Sequence, residues 1–116
     1  RIVALLPAAD PPAWSLLRQW TSAEAGRAHT LAAGEIGGAM QPRVAPQCLM
    51  EAASLPGVYT VTARGFSADF RADPATGATR SGCVVWLQAT IEADGPAAGS
   101  LAIRRRAWQR LLTPPF

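Results

Sequence analysis

The chain has 116 residues, of which 49% are hydrophobic and 16% are charged, a composition typical of one folded domain and too small for a large modular enzyme. All eleven basic residues are arginine, and with eight acidic residues the formal net charge is +3, an excess too small to indicate nucleic-acid binding by itself. No run of eighteen or more apolar residues occurs and the chain begins with Arg1, so we expect a processed or truncated soluble piece.

The N-terminal part of the chain carries helix signals. Asp10 can cap a helix, and Pro11 and Pro12 suit its first turn. Apolar side chains then recur on one helical face, at Ala13, Leu16, Leu17 and Trp20. These signals predict a helix over 11–25. The stretch 28–46 is rich in Ala, Gly and Pro and is predicted to be an irregular connection.

Further along, the apolar residues alternate with a period near two, which indicates strands. We predict strands over 47–53, 57–65 and 83–91, where β-branched and aromatic residues are frequent. Pro56 and Gly57 predict a turn between the first two of these strands.

Three other segments complete the C-terminal half. The stretch 66–82 contains turn residues and is predicted to be a long hairpin connection that projects from the sheet. The stretch 92–100 is predicted to be a loop. The stretch 101–112 is predicted to be a strand in preference to a short helix, because apolar and charged residues alternate at its start.

Together these elements predict an α+β fold in a single domain, 1–116. Residues 1–46 supply the helix and an irregular connection, and residues 47–113 supply an antiparallel sheet of three or four strands with the helix on one face. The expected packing residues are Leu49, Tyr59, Val61, Val85, Trp86 and Leu87. The tryptophans are expected to supply much of the bulk of the core, and they are Trp14, Trp20, Trp86 and Trp108.

The chain lacks the residue sets of common catalytic sites. His29 is the only histidine and is not accompanied by a GxSxG motif, so a serine or cysteine hydrolase is not predicted. Asp69 and Asp73 could reach a cation together, but their loop lacks the alternating acidic ligands of a calcium site. The glycine-rich stretch 32–40 lacks the Lys and Ser/Thr of a phosphate-binding loop. We therefore expect no enzymatic activity, no metal and no cofactor.

The two cysteines, Cys48 and Cys83, are 35 residues apart and have no CxxC spacing, which argues against a zinc site. Two interpretations remain, a pair of buried reduced thiols or one disulfide formed in an oxidising compartment, and the disulfide is favoured. In the chain-entropy model, a disulfide closing a loop of this length stabilises a fold by about 4 kcal/mol.

Three segments resemble a known family when they are taken together. They are QCLMEAA at 47–53, GVYTVTARGFSADF at 57–70 and SGCVVWLQATI at 81–91. In order and spacing they resemble the C-terminal globular domain of PilX-type minor pilins, which belong to type IV pilus assembly in Gram-negative bacteria. The resemblance covers about residues 42–92, and the residues 104–108 look like a looser continuation.

That resemblance implies a pilin-like architecture in which a helix packs on the antiparallel sheet, with the N-terminal assembly helix missing from this chain. It implies a structural subunit that primes or joins the pilus with other minor and major pilins and the assembly machinery, and that supports motility or adhesion. It places the protein in the inner membrane, the periplasm and the assembled pilus, with membrane contact only through the missing helix. A periplasmic location would let Cys48 and Cys83 oxidise.

The predicted hairpin 66–82 is the candidate surface for contacts with other pilins, because projecting loops commonly carry recognition, although a simple solvated hairpin explains it equally. The candidate contact residues are Phe66, Asp69, Phe70, Arg71, Asp73 and Arg80. Within the sheet, Arg64 is expected to pair with Glu51, and an exposed ion pair of this kind contributes under about 1 kcal/mol.

Two other functions remain as alternatives. A minor pseudopilin of type II secretion shares the helix-on-sheet plan, but the strand motifs favour the pilus. A nucleic-acid-binding module would use its arginines on phosphates and a tryptophan on a base, although a solvated face is the simpler explanation of the cluster. Its candidate residues are Arg104, Arg105, Arg106, Trp108 and Arg110.

Overall fold

The computed structural model describes residues 5–21, 28–32, 43–97 and 100–116, with side chains for all of these except 94–97 and 100–104. The part of the chain so described is mostly β. Its strands are β1 (Leu5–Leu6), β2 (His29–Thr30), β3 (Gln47–Ala52), β4 (Val58–Phe66), β5 (Arg71–Ala72), β6 (Thr79–Ser81), β7 (Val84–Ala97) and β8 (Ser100–Leu111). Its helices are a 3-10 turn (Ala13–Ser15) and α1 (Leu17–Thr21).

One sheet of six strands organises the fold. β3, β4, β7 and β8 follow one another as an antiparallel meander, β1 lies parallel to β3, and β2 also pairs with β3. β5 and β6 form a separate two-stranded hairpin. The predicted α+β fold is therefore wrong: the sheet is larger than three or four strands, and no long helix packs on it among the described residues.

In place of the predicted helix over 11–25, the structure has the 3-10 turn and the short helix α1. Pro12 is extended, with φ −64° and ψ 148°, and Leu16 is extended, with φ −103° and ψ 119°. The helical backbone therefore begins after Pro12 and is interrupted at Leu16. The helix α1 that follows is only five residues long. Residues 22–25 of the predicted helix lie outside the described residues.

Contacts with the sheet explain this local structure. The backbone N–H of Ala13 donates to a carboxylate oxygen of Glu51 at 2.9 Å, and that of Trp14 donates to the other oxygen at 3.2 Å. The indole N–H of Trp20 donates to the carbonyl of Trp14 at 3.0 Å. Helix propensity is a weak preference that tertiary contacts override, and here the contacts hold the segment against β3.

The three central strands, β3, β4 and β7, begin within one residue of the predicted starts. β4 and β7 pair without interruption from Val58 opposite Glu92 to Phe66 opposite Val84. The predicted loop over 92–100 is wrong, because β7 continues to Ala97 and β8 begins at Ser100. The Ala, Gly and Pro of this stretch have low strand propensity, and cross-strand pairing overrides that preference here.

The side chains of the sheet alternate between two faces. The face that carries Leu49 and Trp86 is covered by the N-terminal segment, and we call it the closed face. There the Trp86 ring meets the Trp20 ring edge to face at 5.1 Å and the Phe116 ring at 5.3 Å. The buried cluster on this face consists of Ala13, Trp20, Leu49 and Trp86.

The opposite face is only partly buried, and we call it the open face. Its buried cluster consists of Tyr59, Ala89, Ile91 and Ala93. The predicted burial of Leu49, Tyr59 and Trp86 is confirmed, whereas Val85 and Leu87 are 39% and 41% exposed. No helix in the described part of the chain has the length and the apolar composition that crossing a membrane requires.

Candidate functional site

Arg64 occupies the centre of the closed face and is only 7% exposed. Its guanidinium carbon lies 5.0 to 5.6 Å from the centres of four aromatic rings, which belong to Trp20, Phe66, Trp86 and Phe116. Its Nε–H donates to the side-chain oxygen of Gln47 at 2.8 Å. Burial lowers the pKa of Arg64 to about 10, which leaves the group charged at neutral pH.

The expected ion pair between Arg64 and Glu51 is not formed. In register, Glu51 lies opposite Thr60 whereas Arg64 lies opposite Gln47, so the two charged groups sit four residues apart along β4. Glu51 is 3% exposed and its carboxylate accepts the two backbone N–H groups of the N-terminal segment. Each group therefore has a structural partner of its own, and both hold the N-terminal segment on the sheet.

The hairpin over 66–82 contains all six residues predicted to contact other pilins, but most of them are engaged within the chain. The rings of Phe66 and Phe70 pack with their centres 4.5 Å apart. Asp69 accepts a hydrogen bond from the Ser67 hydroxyl at 2.7 Å. Asp73 forms a 2.7 Å ion pair with Arg80.

Asp73 also organises the turn at the tip of β5 and β6. Its Oδ1 accepts the backbone N–H of Ala75 at 2.8 Å and that of Thr76 at 3.1 Å. These bonds, led by the one from Ala75 and joined by the Arg80 guanidinium, lower the pKa of the Asp73 carboxyl. The carboxylate therefore has a clear structural role, which the sequence alone did not distinguish from a contact role.

The hairpin was predicted to project from the sheet, but it packs against the rest of the chain. Gly77 is buried, with φ +76°, and a Cβ built on it would lie 2.5 Å from side-chain atoms of both Leu17 and Phe116. The hairpin thus folds back against α1 and the C-terminal residue. Arg71 stays exposed and lines a cleft of about 490 Å³ with Arg43 and five other residues.

The two cysteines do not form the expected disulfide and are both reduced. Cys48 lies opposite Ala63 on β4, whereas the carbonyl of Cys83 accepts the N–H of Ser67 at the far end of that strand. Four residues along a strand and two strand spacings across the sheet put the two Cα atoms roughly 16 Å apart. A disulfide needs a separation below about 7 Å, so the register excludes an intrachain bond in this fold.

The open face carries exposed apolar side chains beside its buried cluster. Val85 and Leu87 project from β7, and Trp108, which is 57% exposed, projects from β8 opposite Ala89. On β4, which flanks β7 on the side away from β8, Gly65 lies opposite Val85, and a Cβ built on it would meet no atom within 4 Å. These residues form an accessible apolar area, which on a soluble domain marks an interaction site when it is contiguous.

The arginine cluster is divided between the two faces. Arg106, Trp108 and Arg110 lie opposite Ile91, Ala89 and Leu87, so their side chains belong to the open face. Arg105 lies opposite Glu92 on the other face and forms a 3.3 Å ion pair with it. The side chain of Arg104 lies outside the described residues. Of the four predicted residues whose side chains are described, three therefore share the open face and Arg105 lies on the other.

The described ranges contain no group of three or more His, Cys, Asp or Glu side chains that could hold a metal ion. His29 lies in β2 opposite Cys48, not in an irregular connection. Comparisons with protein-family models, with curated proteins and with solved structures found no match.

The sequence did not reveal the Arg64 environment or the division of the β8 arginines. The four rings around Arg64 come from α1, β4, β7 and the C-terminus, so no local pattern connects them. The alternation of Arg106, Trp108 and Arg110 was a usable signal, because residues two apart in a strand share a face.

Proposed function

We propose that this chain is a structural subunit of a type IV pilus, a PilX-type minor pilin that acts by contacting other pilins and not by catalysis. The observation that carries the proposal is the open face, where Val85, Leu87 and Trp108 are exposed on adjacent strands. Removing exposed apolar area from water against a partner favours association. A subunit of an assembly needs a surface of this kind.

The positions of the resembling segments support the proposal. The segments 47–53, 57–70 and 81–91 contain β3, β4 and the first half of β7, which are direct neighbours in the sheet. The resemblance therefore follows one continuous structural unit, and the exposed residues Val85 and Leu87 belong to that unit.

In this proposal the open face binds a neighbouring pilin, and the hairpin contributes a second contact through its exposed residue Arg71. Asp73, Arg80 and Phe66 then position the hairpin through their internal contacts. The protein works in the inner membrane and periplasm and in the assembled pilus of a Gram-negative bacterium.

The test is genetic and uses the full-length gene in the bacterium that encodes it. Deletion is expected to reduce the number of surface pili and pilus-dependent motility, and the parent gene is expected to restore both. The variant Gly65→Glu places a charge on the open face where no atom obstructs it. It is expected to fold, to accumulate normally and to fail in restoring pili.

The matched control is Thr21→Glu, which adds the same charge at an exposed position of α1, outside the open face and the hairpin. This variant is expected to restore pili to the parental level. Normal piliation after deletion contradicts the pilus function. Normal piliation with Gly65→Glu, when the deletion strain lacks pili, contradicts the use of the open face.

A further inference from the structure

β8 is an edge strand of the sheet. Among the described residues its only neighbour is β7, so the backbone groups on its outer side have no strand to pair with. An unpaired edge is a template on which an extended segment of another chain can add as a further strand.

The hydrogen-bond pattern identifies which residues of β8 face outward. The N–H of Ala93 donates to the carbonyl of Gly57, and that of Ser67 donates to the carbonyl of Cys83, so odd-numbered residues of β7 bond to β4. Backbone groups alternate in direction along a strand, so even-numbered residues of β7 bond to β8. Their partners on β8 are Arg105, Ala107, Gln109 and Leu111.

The outward backbone groups therefore belong to Arg106, Trp108 and Arg110. The same three residues point their side chains to the open face. An added strand would thus meet, at one edge, a row of outward N–H and C=O groups together with two guanidinium groups and an exposed indole between them.

The charges indicate the kind of strand that fits. Within the described part of the chain neither Arg106 nor Arg110 has a carboxylate at ion-pair distance, whereas Arg105 on the other face has Glu92. Carboxylates directly across from these arginines would form favourable cross-strand pairs. A second copy of β8 centred antiparallel on Trp108 would instead place arginine opposite arginine, which is unfavourable.

We propose that β8 binds an extended acidic segment of another protein by strand addition. The segment carries acidic side chains at two positions four residues apart, opposite Arg106 and Arg110, and an apolar or aromatic side chain between them, against Trp108. This inference does not depend on the pilus function, because it uses only the edge and the charges of β8.

The experiment measures binding of fluorescent seven-residue peptides to the full chain by anisotropy. In the probe peptide, positions 2 and 6 are acidic, position 4 is aromatic and the other four positions are small polar residues. The control peptide has Lys in place of each acidic residue. The acidic peptide is expected to bind and the basic one is not. Arg106→Glu with Arg110→Glu is expected to weaken binding by at least about tenfold, because like charges then face each other.

The matched control is Arg18→Glu with Arg43→Glu, which makes the same charge change at exposed positions away from β8 and is expected to leave binding unchanged. Strand addition is separated from simple charge attraction by N-methylation of the peptide. Two methylated peptides are compared, one N-methylated at its odd-numbered residues and one at its even-numbered residues, so that each has one edge blocked. The peptide blocked on the edge that pairs with β8 is expected to lose binding, and the other is expected to keep it.

Three results overturn the proposal. Equal binding of the two methylated peptides shows that no backbone edge is used. Absence of binding to the acidic peptide shows that the arginines only protect the edge from other strands. Tighter binding of a single-stranded oligothymidylate, lost with the same double Arg variant, assigns the row to nucleic acid instead.

Discussion

Arg64 lies directly opposite Trp86 across the β4–β7 pair, with its guanidinium carbon 5.2 Å from the centre of the Trp86 ring. Three further rings surround the same cation, and the residue has no carboxylate within ion-pair distance in the described part of the chain. The closed face is therefore held together around a buried cation that aromatic faces and one amide oxygen stabilise.

The substitution Arg64→Lys tests that arrangement. Lysine keeps the charge but lacks the planar guanidinium and the Nε–H that bonds Gln47, so we expect a loss of about 1–3 kcal/mol in the free energy of unfolding. Urea denaturation followed by tryptophan fluorescence measures it. Arg71→Lys, at an exposed position, is the control and should change the stability by less than about 0.5 kcal/mol. Equal stability of Arg64→Lys and the parent would show that the rings merely surround the side chain.

The substitution Glu51→Gln tests the attachment of the N-terminal segment. A glutamine offers one oxygen, so its NH₂ group faces one of the two N–H donors of Ala13 and Trp14. We expect a loss of about 1.5–3 kcal/mol and faster amide exchange at both residues. Glu92→Gln removes an exposed ion pair with Arg105 and should cost under about 1 kcal/mol. If the two variants cost the same, the buried carboxylate does not anchor the segment.

Two glycine-to-alanine substitutions are expected to have different effects on the free energy of unfolding. Gly77→Ala puts a Cβ into Leu17 and Phe116 at a backbone with φ +76°, so we expect a loss of about 1–3 kcal/mol. Gly65→Ala meets open space on the open face and restricts the unfolded chain, so we expect a change between zero and a gain of about 1 kcal/mol. Thermal unfolding of both variants measures the contrast. A Gly77→Ala protein as stable as Gly65→Ala would mean that the hairpin does not pack against α1.

The Asp73 carboxyl makes the order of the hairpin depend on pH. Its pKa is lowered in the folded state by the N–H of Ala75, by Arg80 and by the N–H of Thr76, so the ionised form stabilises the turn. That contribution is complete above the ordinary aspartate pKa of about 4 and is lost as the pH falls through the lowered folded pKa. The amide chemical shifts of Ala75 and Thr76 should follow this titration and stay flat in Asp73→Asn. A midpoint at or above the ordinary value would contradict the contacts.

The central strands could be predicted from the sequence because each is a short, self-contained alternating pattern. The segment GVYTVTARG needs no distant partner to indicate a strand, and β4 covers Val58–Phe66. Alternation also predicted which residues share a face. It did not predict which face is covered, and so Leu87 was expected in the core although it is 41% exposed.

The errors at the N-terminal helix and around Arg64 involve contacts between distant parts of the chain, whereas the error over 92–100 lies in a hairpin with the residues that follow it. The helix signals from Asp10 onward are real local preferences, but Glu51 takes the backbone N–H groups of Ala13 and Trp14. The stretch 92–100 looks like a loop in isolation and becomes strand by pairing with β8. The Arg64 environment joins four separate elements, and no single-sequence pattern encodes such a meeting.

Site-specific photo-crosslinking in living cells tests the proposal that the open face contacts pilin subunits. A photoreactive amino acid at Leu87, which is exposed on the open face, is compared with the same amino acid at Arg18, which is exposed on α1. Crosslinks to pilin subunits are expected from position 87 and none from position 18. Crosslinks of equal yield from both positions, or no pilin crosslink from position 87, would contradict the proposal.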